Sequence, residues 1–73
     1  MNFPQYRKLS NQKSFYRIES SVQFTEVQIM GSKRFVHSVE ARQYPEKLRI
    51  MDMLNCEPPF ELSDRNEFDS MNV

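Results

Sequence analysis

The 73 residues contain one glycine, one cysteine, one histidine and no tryptophan. Each scarcity removes a class of protein. Cys56 alone cannot close an intrachain disulfide, which excludes a disulfide-stapled secreted mini-protein. Cys56 and His37 together cannot furnish the four nitrogen or sulfur ligands of a structural zinc site. Gly31 stands alone, so the sequence holds neither a phosphate-cradling glycine loop nor a dinucleotide fingerprint. Long apolar runs are also missing. The longest are two residues, as at Ile50-Met51 and Met53-Leu54, against the ~18 that a membrane span needs. The opening MNFPQYRKLSNQ has no apolar segment behind its charges and does not read as a secretory signal. A cytoplasmic protein with no membrane partner is expected.

What is present is polar for a globular domain, 38% hydrophobic and 27% charged. Six Phe, three Tyr and many β-branched residues nevertheless suit a folded body over 13–55. A chain this short buries only roughly 60% of the surface that its unfolded form exposes. Ordering costs on the order of 1.5 kcal/mol per residue, which brings one such core near break-even. With disulfides and zinc excluded, packing or self-association must supply the remainder, and a homodimer is expected on that ground.

The zero net charge conceals an asymmetry. Residues 1–18 carry Arg7, Lys8, Lys13 and Arg17 and no acid. Residues 60–73 set Arg65 against Glu61, Asp64, Glu67 and Asp69. A basic body thus runs into an acidic tail.

Residues 1–12 have no apolar period and read as a flexible leader. Residues 13–19 (KSFYRIE) read as a strand, with Phe15 and Arg17 on one face and Tyr16 and Ile18 on the other. Residues 22–30 and 33–41 flank Gly31-Ser32. Glycine at the first position of a two-residue loop fits a type II′ hairpin turn. That registry pairs Met30 with Lys33, Gln28 with Phe35 and Glu26 with His37. Val22 and Phe24 are out of phase with Val27 and Ile29, so a bulge near Thr25-Glu26 is expected to restore one apolar face. The rival reading is a short helix over 21–29, capped by Ser20 and Gln23. The predominance of Val, Phe, Thr and Ile favours the hairpin.

Pro45 and Glu46 suit a first helical turn, and PEKLRIMDMLN is built from helix formers. A helix over about 45–55 is expected, with Leu48 and Met51 along its buried line. A fourth strand, with Leu48, Ile50 and Leu54 on one face, is the alternative. Pro58-Pro59 ends regular structure. Asp64 and Glu67 have capping spacing, but the acidic, apolar-poor segment 58–73 reads as a disordered tail.

The expected architecture is α+β: a three-stranded antiparallel meander (13–19, 22–30, 33–41) with one helix on one face, 13–57 forming the single domain. The expected core is Phe15 or Tyr16, Ile18, Phe24, Val27, Ile29, Phe35, Val39, Leu48, Met51 and Leu54. Such a sheet leaves an edge open, which pairing across a two-fold axis would cover.

Chemistry is sparse. His37 sits between Phe35 and Val39 and faces Glu26 in the hairpin registry, so it reads as half of a modest cross-strand pair and not a catalytic base. Cys56 reads as a small apolar residue in the absence of a thiolate-stabilising environment. The carboxylates Glu19, Glu26, Glu40, Glu46 and Asp52 are scattered and read as a solvated face. No enzyme activity, cofactor or metal is therefore expected. Lys13, Arg17, Lys33, Arg34 and Arg42 alternate with aromatics including Tyr16 and Tyr44, a composition that suits single-stranded nucleic acid. The body's surplus of five positive charges (nine basic against four acidic residues over 1–49) is small for such a binder. The favoured expectation is a small non-enzymatic module that binds a protein partner, foremost a second copy of itself. Single-strand nucleic-acid binding through those seven residues is the alternative.

Overall fold

The computed structural model describes residues 2–72. Its order is β1 (Gln5–Leu9), β2 (Ser14–Ser20), β3 (Gln23–Met30), β4 (Lys33–Glu40), α1 (Tyr44–Leu54), β5 (Phe60–Leu62) and α2 (Arg65–Met71). The five strands form one sheet, ordered β4-β3-β2-β1-β5, with every pairing antiparallel. The α+β class is as expected, but the three-stranded meander with one helix is corrected to five strands and two helices. The additional strands come from residues 5–9 and 60–62, and the second helix from 65–71, segments read as leader and tail because none carries a hydrophobic period.

The β3–β4 hairpin is the element that the sequence specifies most directly. Gly31 takes φ +63°, and Ser32 is not among the residues with positive φ, as a type II′ turn requires. The register runs from Gln23 opposite Glu40 to Met30 opposite Lys33, and it includes the expected pairs Gln28–Phe35 and Glu26–His37. The expected bulge at Thr25-Glu26 is absent: β3 pairs without interruption along β4, and the register shift lies instead between Ile18 and Ser20 of β2. The phase change along β3 has another cause. Phe24 packs with Tyr16, Ile18, Ile50 and Met53 beneath α1, while Val27 packs with Phe15 and Phe68 beneath α2. Both faces of the sheet are covered, so each phase has its own core.

α1 opens with Glu46 Oε1 accepting from the backbone N–H groups of Arg42 and Gln43, both at 3.2 Å. It buries Ile50 and Met53, with Leu54 packed at the margin. The expected buried line through Leu48 and Met51 is corrected: both are exposed. A wide apolar stripe permits either face, and the Ile50/Met53 line meets Tyr16, Ile18 and Phe24. Phe35, also expected in the core, is exposed as well.

The C-terminus of α1 is closed by backbone and by β1. Cys56 N–H donates to Met53 O (3.1 Å) and Glu57 N–H to Asp52 O (2.9 Å), the paired bonds of a Schellman motif. Cys56 occupies its left-handed position, at φ +55°. Buried Arg7 reaches across from β1: Nε donates to Met53 O (2.8 Å), one terminal nitrogen to Leu54 O (3.1 Å) and the other to Tyr6 O (2.7 Å). A guanidinium suits this place because the last carbonyls of a helix lack intrahelical donors and carry the negative end of its dipole. α1 has no basic residue in its own last turn.

α2 starts at Asp64, whose carboxylate accepts from Glu67 N–H at 2.8 Å, in agreement with the capping spacing read from the sequence. The helix sets Phe68 against Phe15, Val27 and Tyr6. Lys8 of β1 ties it down through an ion pair with Glu67 at 3.0 Å.

Candidate interaction edge

The strand order leaves two edges. β5 is three residues long, and short edge strands offer little template for pairing. β4 is eight residues long, lacks proline and, among the described residues, pairs only with β3. Every β4 residue is exposed except Val39, which is half-buried. Neither helix makes more than marginal contact with it.

The register fixes which backbone groups are open. Ala41 N–H donates to Val22 O, and antiparallel hydrogen-bonded positions recur at every second residue. The backbone groups of Lys33, Phe35, His37 and Val39 therefore address β3. Those of Arg34, Val36, Ser38 and Glu40 point away from the sheet. Side chains alternate between the two faces: Phe35, His37 and Val39 lie on the α1 face, and Arg34, Val36, Ser38 and Glu40 on the α2 face. Val36 is 55% exposed and Phe35 41%, one apolar residue on each face beyond the reach of the helices. Met30, opposite Lys33, extends the apolar surface at the hairpin tip.

Next to this edge, on the α1 face, is a polar cluster. Arg49 of α1 lies 3.7 Å from Glu26, donates to the Tyr16 hydroxyl at 3.3 Å and covers the rings of Tyr16 and Phe24. Burial first, and then the Glu26 carboxylate, raise the Tyr16 phenol above its ordinary value of 10.0. Glu26 stands opposite His37 as expected, and it also lies within ion-pair range of Arg49. The arrangement anchors α1 to the sheet.

The seven residues singled out for nucleic-acid contact are not brought together. Lys13 and Lys33–Arg34 lie at the end of the sheet formed by the β1–β2 and β3–β4 turns, where Lys13 and Arg34 flank Ile29 on one face. Arg42 and Tyr44 lie at the opposite end, beside the start of α1. Arg17 is paired with Glu19 and covers Phe68, and Tyr16 is buried. An open groove of about 430 Å³ is lined by Phe3, Pro4, Tyr6, Arg17, Glu19, Arg65 and Asp69. Its charges are matched within the chain, Arg17 with Glu19 and Arg65 with Asp69 at 3.6 Å. Among the described residues no three His, Cys, Asp or Glu side chains gather as metal ligands, and no helix is long and apolar enough to cross a membrane.

The expected meander has two edges, 13–19 and 33–41, and only the second stays open, because β1 and β5 extend the sheet beyond β2. An edge is decided by which strands pair, and the placement of β1 and β5 on the far side of β2 has no local signature. Compared with protein-family models, curated proteins and solved structures, the chain matches none.

Proposed function

We propose that this chain is a small, non-enzymatic protein-interaction module that recognises its partner by strand addition at β4 and self-associates through that edge. The observation that carries the reading is an eight-residue, proline-free edge strand, exposed on both faces and flanked by unburied Phe35 and Val36. A row of unpaired N–H and C=O groups is a template for another strand, and the apolar side chains on either side reward its arrival. Single-strand nucleic-acid binding is less well supported, because Tyr16 offers no exposed ring and Tyr44 is remote from Lys33 and Arg34.

Sedimentation at micromolar concentration tests the reading, with Val36→Pro as the diagnostic variant. Position 36 points its N–H outward, where proline removes a donor to the partner and none to β3. A dimer that Val36→Pro converts to a folded monomer, with an unchanged far-ultraviolet spectrum, is expected. A native chain that stays monomeric and captures no strand peptide overturns the proposal.

A further inference from the structure

We infer that the partner at β4 is a second copy of this chain, joined about a two-fold axis at His37. The inference rests on the strand-addition and self-association reading above and adds the symmetry axis and the register. Two copies of β4 related by a two-fold axis run antiparallel. Outward-facing positions must meet outward-facing positions, so only registers that pair even-numbered with even-numbered residues are open. Three of these overlap the strand well, and side-chain chemistry separates them.

Centred on His37, the register sets Arg34 opposite Glu40 of the second copy, and Glu40 opposite its Arg34. Val36 meets Ser38, Phe35 meets Val39, and the two His37 residues face each other at the axis. Two opposite-charge pairs then lie on the α2 face and two Phe–Val pairs on the α1 face, all with complementary partners. The four hydrogen-bonded positions of each strand exchange about eight inter-chain bonds. Centred on Val36, the register sets Arg34 against Ser38 and Lys33 against Val39, and no charge is matched. Centred on Ser38, it sets Arg34 against Arg42, a like-charge clash. Glu40 can enter the His37-centred pairing because its one ion pair among the described residues, with Arg42 at 3.5 Å, is highly exposed and correspondingly weak. The joined sheets form one continuous surface of ten strands, five from each copy, with α1 helices on one side and α2 helices on the other.

Cysteine scanning reads the register directly. In a Cys56→Gly background, which removes the only native thiol, cysteine is placed singly by Val36→Cys, His37→Cys and Ser38→Cys. Each variant is oxidised with oxidised glutathione. Non-hydrogen-bonded partners lie about 4.5 Å apart at Cα, within disulfide reach, whereas residues offset by two positions along facing strands do not. His37→Cys is expected to cross-link at least about tenfold faster than the other two. In parallel, Arg34→Glu and Glu40→Arg each weaken dimerisation, by about tenfold for two repulsive contacts, and the double exchange returns it to within about twofold of the native value. Fastest cross-linking at position 36 or 38, or no recovery in the double exchange, overturns the register while leaving strand addition at β4 intact. A monomeric chain whose β4 still captures a strand peptide overturns self-pairing alone. A monomer that captures nothing overturns both.

Discussion

Arg7 is a positive charge placed in the interior with no carboxylate partner among the described residues. Its neutralising environment is the carbonyl end of α1, where Met53 and Leu54 accept from it, together with Gln5 Oε1 at 2.8 Å. Removing the side chain would leave Leu54 O without this donor and Met53 O with the Cys56 N–H alone, at about 1–3 kcal/mol. Arg7→Ala should therefore lower the urea midpoint sharply. Arg7→Lys should recover only part of the loss, since an ammonium cannot span four acceptors with a planar fork. A midpoint within error of the native protein in Arg7→Ala would refute the account. Cys56 presents the opposite case, a side chain that strains its own backbone. Left-handed φ suits glycine at the residue after a helix cap and disfavours a residue with a Cβ. Cys56→Gly should stabilise by about 0.5–1 kcal/mol, which raises the melting midpoint by about 2–8 °C in a chain this small. A lower midpoint would mean that packing of the half-buried thiol outweighs the backbone gain.

α2 shows how a short, acidic element can be held. A seven-residue helix has little stability of its own, so its order depends on Phe68, fully buried against Phe15 and Val27, and on the contacts of Glu67. Phe68→Ala should cost about 3–5 kcal/mol by the cavity that it leaves. Glu67 accepts from the Ser63 hydroxyl and from Lys8, and these bonds, the hydroxyl foremost, hold its carboxyl below the ordinary 4.5. A carboxyl whose folded value is depressed stabilises the fold above the unfolded value and loses that contribution as pH falls through the folded one. Glu67→Gln should thus cost up to about 1 kcal/mol at neutral pH and flatten the decline in stability below about pH 4.5. Denaturant titrations at pH 7 and pH 3 check both statements. The sequence declares such elements unevenly. Gly31 specifies its hairpin because one residue sets turn type, register and the Glu26–His37 pairing together. Phe68 has a single companion one turn on, Met71, too little to mark a helical period, and β5 is three residues whose claim to strand is pairing with β1. Arg7 is legible as a charge, but its burial depends on a helix terminus 46 residues away. The two phases of β3 are plain in the sequence. Their explanation required a second covered face, which a single-helix architecture cannot provide. The same limit applies to the interaction edge: a three-stranded meander leaves both 13–19 and 33–41 open, whereas the covering of 13–19 by β1 and β5 follows from pairing order alone.

For the whole molecule, one sheet must serve two cores. Tyr16, Ile18 and Phe24 serve the α1 side, and Phe15 and Val27 the α2 side, so most of the apolar content is spent on the middle strands. β4 receives little of it, and its Phe35 and Val36 remain in solvent. Joining two copies at β4 would convert those residues from exposed to cross-strand contacts and extend the same two cores across the junction. Stability is then linked to concentration, because a partner that binds only the folded state draws the equilibrium toward it. Each tenfold rise in protein concentration should favour the folded dimer by about 1.4 kcal/mol, and the melting midpoint should climb accordingly across the micromolar range. Val36→Pro should abolish this dependence while leaving the dilute-limit midpoint close to that of the native chain, since its outward N–H contributes nothing to pairing with β3. Thermal scans of both proteins over a hundredfold dilution series make the comparison. A native midpoint that does not move with concentration would mean that five strands and two helices stand alone, and that β4 is left open for a partner other than its own copy.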